Sequence, residues 1–222
     1  MTNIAIIPAR GGSKRIPRKN IKNFLGKPII VYSIEAAVQS GLFDEIIVST
    51  DDNEIADIAI KNGVKVLKRS DHNSNDYATL SDVIEEVKSV YDQKNLLFNN
   101  ICCILATAPL ITANLIKEGH TTLTNTESDS VRPVVRFSYP IQRAFSLENG
   151  KVSFLNPEHT KTRSQDLEPA FYDAGMFYWM RWNLALKGLN KYAFEISEMQ
   201  AQDIDTNEDW LMAELKYQLN NK

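Results

Sequence analysis

Cysteine and histidine are scarce in this 222-residue chain, which has two of the first and three of the second. Cys102 and Cys103 are neighbours inside the apolar run Ile101-Cys102-Cys103-Ile104-Leu105. Neighbours on a strand point to opposite faces, which argues against a mutual disulfide and for buried thiols in a reducing compartment. His72, His120 and His159 are scattered, show no H-E-x-x-H spacing, and are expected as solvated surface side chains. Long hydrophobic runs are missing, since no stretch approaches the roughly 20 apolar residues of a membrane helix. Met1-Thr2-Asn3 leads straight into a strand-like run without a basic segment, so no secretory signal is read and the expected location is the cytoplasm. An excess of positive charge is also absent: the net charge is −3, which argues against a nucleic-acid partner.

What is present is an ordinary globular composition, 43% hydrophobic and 24% charged, over a length sufficient for one core. Short β-branched runs alternate with helical periods. Strands are expected at Ile4 to Ile7, Glu45 to Ser49, Val64 to Leu67 and Ile101 to Leu105. Helices are expected from Pro28 to Ser40, Asp52 to Lys61, Ser81 to Tyr91 and Ala113 to Leu123. This alternation predicts a parallel, doubly wound α/β sheet. The second half breaks the rhythm. Strands are read at Ser130 to Phe137, at Ala144 to Leu155 split by the turn Glu148-Asn149-Gly150, and within Tyr172 to Trp179, with a last helix from Trp210 to Leu219 capped by Asp205 or Thr206. No linker or repeat interrupts the chain, so residues 1–222 are taken as a single domain carrying a β excursion near 137–160.

The segment after the first strand, Pro8-Ala9-Arg10-Gly11-Gly12-Ser13-Lys14-Arg15-Ile16-Pro17-Arg18-Lys19-Asn20, carries the chemistry. Ligands of open α/β sheets bind at the carboxyl ends of strands. Gly11, Gly12 and Ser13 leave room for backbone N–H groups to approach a phosphate, and Arg10, Lys14, Arg15, Arg18 and Lys19 supply cations for a polyanion. The spacing is neither G-x-x-x-x-G-K-[ST] nor G-x-G-x-x-G, so a common ATPase loop and a dinucleotide fingerprint are both excluded. Asp203-Ile204-Asp205 puts two carboxylates on one side of an extended segment before a helix; by spacing alone they suit Mg²⁺ and a helix cap equally. Asp51-Asp52 is read as the cap of the following helix.

This opening loop, with Gly26-Lys27-Pro28, Val48-Ser49-Thr50-Asp51, Ala106-Thr107-Ala108-Pro109, Phe137 to Arg143 and Asp203 to Thr206, resembles the CMP-sialic acid synthetase (acylneuraminate cytidylyltransferase) family from residue 3 to about 217. Within that family it is most similar to the branch acting on pseudaminic acid. The resemblance implies a three-layer Rossmann-like nucleotide-diphospho-sugar transferase fold, with a mostly parallel mixed sheet and the β excursion used for dimerisation. It implies CTP and an acidic nine-carbon sugar as partners, Mg²⁺ as cofactor and a homodimer. It assigns Lys14, Asp203 and Asp205 to catalysis and the two aspartates to the metal. Ala9, Arg10, Gly11, Gly12, Ser13, Lys19, Asn20, Arg69, Thr79 and Ala106 are assigned to the nucleotide. The sugar side is given to Leu105, Gln142, Arg143, Arg163, Tyr172 and Asp173. Leu105 stands where the sialic acid branch has a glutamine, which suits a more apolar, 6-deoxy sugar. The implied reaction attacks the α-phosphorus of CTP with the anomeric hydroxyl and releases diphosphate. N-acetylneuraminate, legionaminate and 3-deoxy-octulosonate are alternative acceptors, and a nucleotide-binding regulator without turnover is a further alternative.

Overall fold

The computed structural model of the chain describes residues 2–75 and 77–221. In chain order the elements are β1 (Asn3–Pro8), a small hairpin of β2 (Asn23–Phe24) and β3 (Lys27–Pro28), α1 (Ile29–Ser40), β4 (Glu45–Thr50), α2 (Asn53–Lys61), β5 (Lys65–Lys68), α3 (Leu80–Asp92) and β6 (Asn100–Ile104). There follow α4 (Ala113–Asn125), β7 (Ser130–Arg136), a second hairpin of β8 (Phe145–Glu148) and β9 (Lys151–Phe154), β10 (Phe171–Asp173), β11 (Phe177–Arg181), β12 (Lys191–Ile196) and α5 (Asn207–Asn220).

The main sheet runs β10-β7-β11-β6-β1-β4-β5, with β12 also paired to β7. The β6-β1-β4-β5 part is parallel, and β11 enters antiparallel between β6 and β7. This is the mixed, mostly parallel α/β architecture that the family resemblance implies, whereas the alternation of strands and helices by itself predicts a parallel sheet. The central parallel strands β1 and β6 are buried on both faces, which is why they are continuous apolar runs rather than alternating ones. Ala5, Ile7, Cys102, Phe177 and Trp179 face α1, α2 and α4. Ile4, Ile6, Cys103 and Met180 face α3 through Ile84, Val87 and Tyr91. The two cysteines thus lie on opposite faces and are unpaired, and burial pushes both thiols well above the ordinary range. A third cluster, formed by Ile16, Phe24, Tyr32, Ile204 and Trp210, attaches α5 and the basic loop to α1.

Several elements depart from expectation. The strand read through Tyr172 to Trp179 is broken between β10 and β11, where Gly175 adopts a φ of 64°. The bulge there lets the Leu105 amide donate to the Met176 carbonyl at 2.8 Å and sets Gly175 against Asp203. β12 went unread, although Tyr192, Phe194 and Ile196 alternate; its outer half is exposed, so the apolar signal is weak. His120 is not a solvated histidine. It packs on the Trp179 ring at 4.9 Å, sits 3.3 Å from Asn3 Nδ2, and burial holds its pKa below the usual value. Pro28 stands one residue ahead of α1 rather than inside its first turn. The β8–β9 hairpin turns through Asn149 and Gly150, both at positive φ as the sequence demands, but it pairs with no strand of the main sheet. Among the described residues no helix is long and apolar enough to cross a membrane.

Candidate functional site

One cavity opens at the carboxyl ends of the parallel strands, and a second is formed by β10 and the segment leading into α5. The first, about 260 Å³, is lined by Arg10, Ser13, Lys14, Arg15, Lys19 and Asn20 of the loop, Arg69 after β5, Thr79 before α3, and Leu105 and Ala106 after β6. Nine of the residues that the resemblance assigns to substrates or catalysis therefore share one wall. Arg69 is buried: its guanidinium donates to the Ser49 carbonyl at 2.9 Å, and burial lowers its pKa without removing its charge. Asn20 donates to the Arg10 carbonyl at 2.9 Å and so holds the loop's curvature from within. Thr79 caps α3 by accepting from the Asp82 amide at 3.2 Å.

The loop is pinned to the start of α2, which the sequence reading missed. Arg18, in the left-handed region at φ 56°, makes a two-pronged ion pair with Asp52 and reaches Glu54 at 2.6 Å. Asp52 meanwhile caps α2 by accepting from the Ile55 amide at 3.0 Å, as expected. Arg18 first, and the α2 amides after it, keep the Asp52 carboxyl below its ordinary range. The expectation that the Gly11 amide stands open for a phosphate is not met, because it donates to Asp51 Oδ1 at 3.0 Å. Glycine is required there for a different reason: a Cβ would lie 2.6 Å from Asp52 Oδ2. Ala9 is buried and donates to the Ser49 carbonyl at 2.9 Å, so it and Gly11 serve the loop's shape rather than the cavity wall. Gly12 has open space around it and also lies off that wall. The sequence signal for the clamp was the charge opposition of Arg18 and Asp52, 34 residues apart and invisible to local pattern.

The second cavity, about 430 Å³, is lined by Tyr172, Asp173, Asp203, Asp205, Asp209 and Lys216. Asp203 and Asp205 lie in an irregular extended segment rather than a strand, yet both reach this wall. The choice of cap resolves here. Thr206 caps α5, its hydroxyl accepting from the Asp209 amide at 3.2 Å, which leaves the Asp205 carboxylate outside the helix. Asp205 instead receives Arg15 at 2.6 Å and Lys19 at 3.5 Å, and Lys19 is anchored on the Ile204 carbonyl at 2.5 Å. Burial, and then the nearby Asp205, push the Asp203 carboxyl up from its usual value. Lys216, which no sequence signal marked, ties the approach to these aspartates by donating to the carbonyls of Glu198 at 2.9 Å and Ala201 at 2.8 Å.

Among the described residues no group of three or more His, Cys, Asp or Glu gathers as a complete metal cage. Two carboxylates beside a cation-lined wall nevertheless fit the chemistry of a Mg²⁺ site, which typically takes one or two carboxylates and completes its shell with water and substrate phosphates.

The residues assigned to the sugar divide. Tyr172 and Asp173 line the acidic cavity, Asp173 accepting from Arg132 at 2.9 Å. Leu105 falls in the nucleotide wall. Gln142, Arg143 and Arg163 line neither cavity. They tie the excursion to the segment that follows it, and that segment to itself: Gln142 donates to the Glu168 carbonyl at 2.8 Å, Arg143 to Ser164 Oγ at 3.5 Å and Arg163 to Asp166 at 2.8 Å. A single chain thus does not gather them into an acceptor pocket, because the excursion hangs off the sheet instead of folding over it. A larger cavity of about 580 Å³ between α1 and the end of α5 has no Lys or Arg in its wall and does not suit a triphosphate.

The cytidylyltransferase family model matches residues 4–213. A pseudaminic acid cytidylyltransferase of Campylobacter jejuni subsp. jejuni serotype O:23/36 (strain 81-176) is 42% identical over 230 aligned positions, covering 100% of this chain and 99% of that protein. A Helicobacter pylori (strain ATCC 700392 / 26695) protein named pseudaminic acid cytidylyltransferase and UDP-2,4-diacetamido-2,4,6-trideoxy-beta-L-altropyranose hydrolase is 35% identical, over 92% of this chain and 40% of that one. N-acylneuraminate cytidylyltransferase A of Danio rerio is 36% identical over 95% of this chain and 49% of its own length. In shape, the chain superimposes on a CMP:2-keto-3-deoxy-manno-octonic acid synthetase complexed with CTP with a TM-score of 0.70, at 17% identity, covering 100% of this chain and 99% of the other; that likeness speaks for the fold.

Proposed function

Because the chain belongs to the cytidylyltransferase family, we propose that it transfers CMP from CTP to the anomeric hydroxyl of pseudaminic acid, a nine-carbon acidic sugar, and releases diphosphate. The observation that carries this reading is the juxtaposition of a cation-lined cavity and a carboxylate-lined one, joined where Arg15 and Lys19 meet Asp205. A nucleotide site alone has no use for the second cavity. Transfer requires an acceptor beside the α-phosphorus and opposite the leaving group.

In this reading Arg10, Lys14, Lys19 and Arg69 hold the triphosphate, and the clamp between Arg18 and Asp52 keeps their loop in place before the nucleotide arrives. The cations concentrate positive charge where the leaving diphosphate gains negative charge, which is the main resource of phosphoryl-transfer catalysis. Asp203 and Asp205 would hold Mg²⁺. When bound, that ion withdraws charge from the phosphate oxygens. Tyr172 and Asp173 face the acceptor, which enters from the acidic cavity. The excursion serves as the contact between two copies of the chain, supported by the exposure of Leu147, Val152 and Leu155 on it. The cytoplasm is the proposed compartment, supported by two thiols that stay unpaired.

The test is diphosphate release from CTP and Mg²⁺ with a panel of pseudaminic acid, legionaminic acid, N-acetylneuraminate and 3-deoxy-octulosonate. Release is expected with pseudaminic acid at the highest kcat/KM. No release with any of the four sinks the transferase reading, and a different best acceptor sinks the choice of sugar.

A further inference from the structure

Arg15 is a loop cation whose ion-pair partner lines the second cavity and whose side chain is largely exposed. Its guanidinium meets Asp205 at 2.6 Å, and Asp205 is its sole ion-pair or hydrogen-bond partner among the described residues. The Arg15 side chain is 69% exposed and that of Asp205 37% exposed. Lys19 touches the same carboxylate, but its side chain is only 18% exposed and its ammonium is fixed on the Ile204 carbonyl. Arg15 also lines the nucleotide cavity, so one side chain belongs to both walls.

From this geometry we infer that Arg15 is an exchangeable counter-ion: it covers the metal-binding face of Asp205 in the empty enzyme and moves to the triphosphate when a divalent cation takes that carboxylate. The inference rests on the reading of Asp205 as a metal ligand. Charge conservation favours the exchange. Asp203 and Asp205 line the same cavity, so two like charges face one space. Without a cation the pair repels itself, so Arg15 stabilises the empty site. When the metal arrives, the arginine is surplus there and becomes an uncompensated cation beside an incoming triphosphate. An exposed ion pair of this kind holds with a strength equivalent to about fivefold in affinity at most, so the nucleotide and metal together readily release it. The planar guanidinium then binds phosphate oxygens two at a time, which a point-charge lysine cannot do.

The exchange makes two binding constants move in opposite directions in one variant. In Arg15→Gln, Mn²⁺ binding to nucleotide-free protein, read from the free-ion electron paramagnetic resonance signal, is expected to tighten about threefold to fivefold, because a competitor is gone. CTP binding to the same variant, measured by calorimetry in the presence of metal, is expected to weaken about tenfold. A merely structural arginine would weaken both, and an ordinary phosphate ligand would weaken CTP while leaving Mn²⁺ unchanged; either result overturns the inference. Asp205→Asn in the same Mn²⁺ titration separates the two claims. If it binds Mn²⁺ as the parent does, the metal reading of Asp205 fails and the exchange with it. If it loses Mn²⁺ while Arg15→Gln gains none, the metal reading stands and the exchange alone is overturned.

Discussion

The phosphate loop and the β excursion are both polar surface segments, but the protein holds them in different ways. The loop is tied to α2 through Arg18 and Asp52, to Asp51 through the Gly11 amide, and to its own interior through Asn20. The excursion is a two-stranded hairpin bound mainly to itself, with Leu147 71% exposed and Val152 65% exposed. Isolated two-stranded hairpins are marginal in water, and apolar side chains on one call for a cover. On the proposed reading, the nucleotide side is built in advance by a single chain and the acceptor side is finished by a second copy. Preorganisation of the first lowers the cost of ordering the loop around a triphosphate.

The comparison breaks most visibly at the aspartates, where the two sides meet. Asp205→Ala is expected to lower diphosphate release by about two to three orders of magnitude while leaving CTP-free unfolding cooperative. Asp203→Asn should lose activity to a similar extent yet raise the thermal midpoint of the empty protein by about 1–3 °C. The sign follows from its raised pKa. A carboxyl that holds its proton more tightly in the folded state stabilises below the unfolded pKa and loses that contribution as pH rises through the folded one. At neutral pH the ionised Asp203 is therefore a burden on the fold, and asparagine removes it. A midpoint unchanged or lowered at pH 7.5, followed by differential scanning calorimetry, would show that Asp203 is not desolvated at a cost.

Next in size is the excursion. Leu147→Asp with Val152→Asp is expected to give a monomer by sedimentation velocity, with the KM for the sugar raised more than about tenfold and that for CTP within about twofold. A monomer with an unaltered sugar KM would show that one chain completes its own acceptor side, and the contrast drawn above would dissolve. On the nucleotide side the matching change is Asp52→Ala, expected to raise the CTP KM about tenfold with a smaller loss in kcat, since the loop loses its anchor and not its cations. The lowered pKa of Asp52 means that its stabilising effect is complete above the unfolded value and fades only as pH falls through the folded one, below the ordinary carboxylate range. Loop anchoring should accordingly be constant from pH 6 to pH 9; a CTP KM that rises at pH 6 in the parent but not in the variant would contradict it.

What could be read from sequence follows the same divide. The parallel core was legible because β1, β4 and β6 are buried on both faces and their apolar runs leave little choice. The cation-lined wall was legible because half of its members, from Pro8 to Asn20, sit in one loop. The Arg18–Asp52 clamp, across 34 residues, and the Lys216 tether, across 15 and 18, were not, since each joins separate segments by a single side chain. The excursion residues Gln142, Arg143 and Arg163 show the opposite failure. Their chemistry was readable, but their position depends on how a hairpin hangs from the sheet, which no local pattern encodes. The break at Gly175 lies between, for a glycine in a strand announces a bulge, though not the direction in which it turns.

The smallest effect expected tests whether the two sides are as separate as they look. Leu105 lines the cation-lined cavity, and its backbone is held by α1 and by the turn before β11. Its carbonyl accepts from Ser33 Oγ at 2.8 Å and its amide donates to Met176, at the bulge that faces Asp203. Because both backbone groups are fixed, Leu105→Gln exchanges a side chain without moving the segment. A glutamine there offers a hydrogen bond that leucine cannot, and a site with a new polar group favours the acceptor that can satisfy it. The ratio of kcat/KM for N-acetylneuraminate over pseudaminic acid is expected to rise about fivefold, measured as diphosphate release at saturating CTP. A changed ratio with a constant CTP KM would put residue 105 against the sugar, and a changed CTP KM with a constant ratio would put it against the nucleotide alone. The first outcome is expected, because the bulge that carries Met176 ties this position to the acidic cavity more directly than its neighbours Ala106 and Thr107, which have no such link.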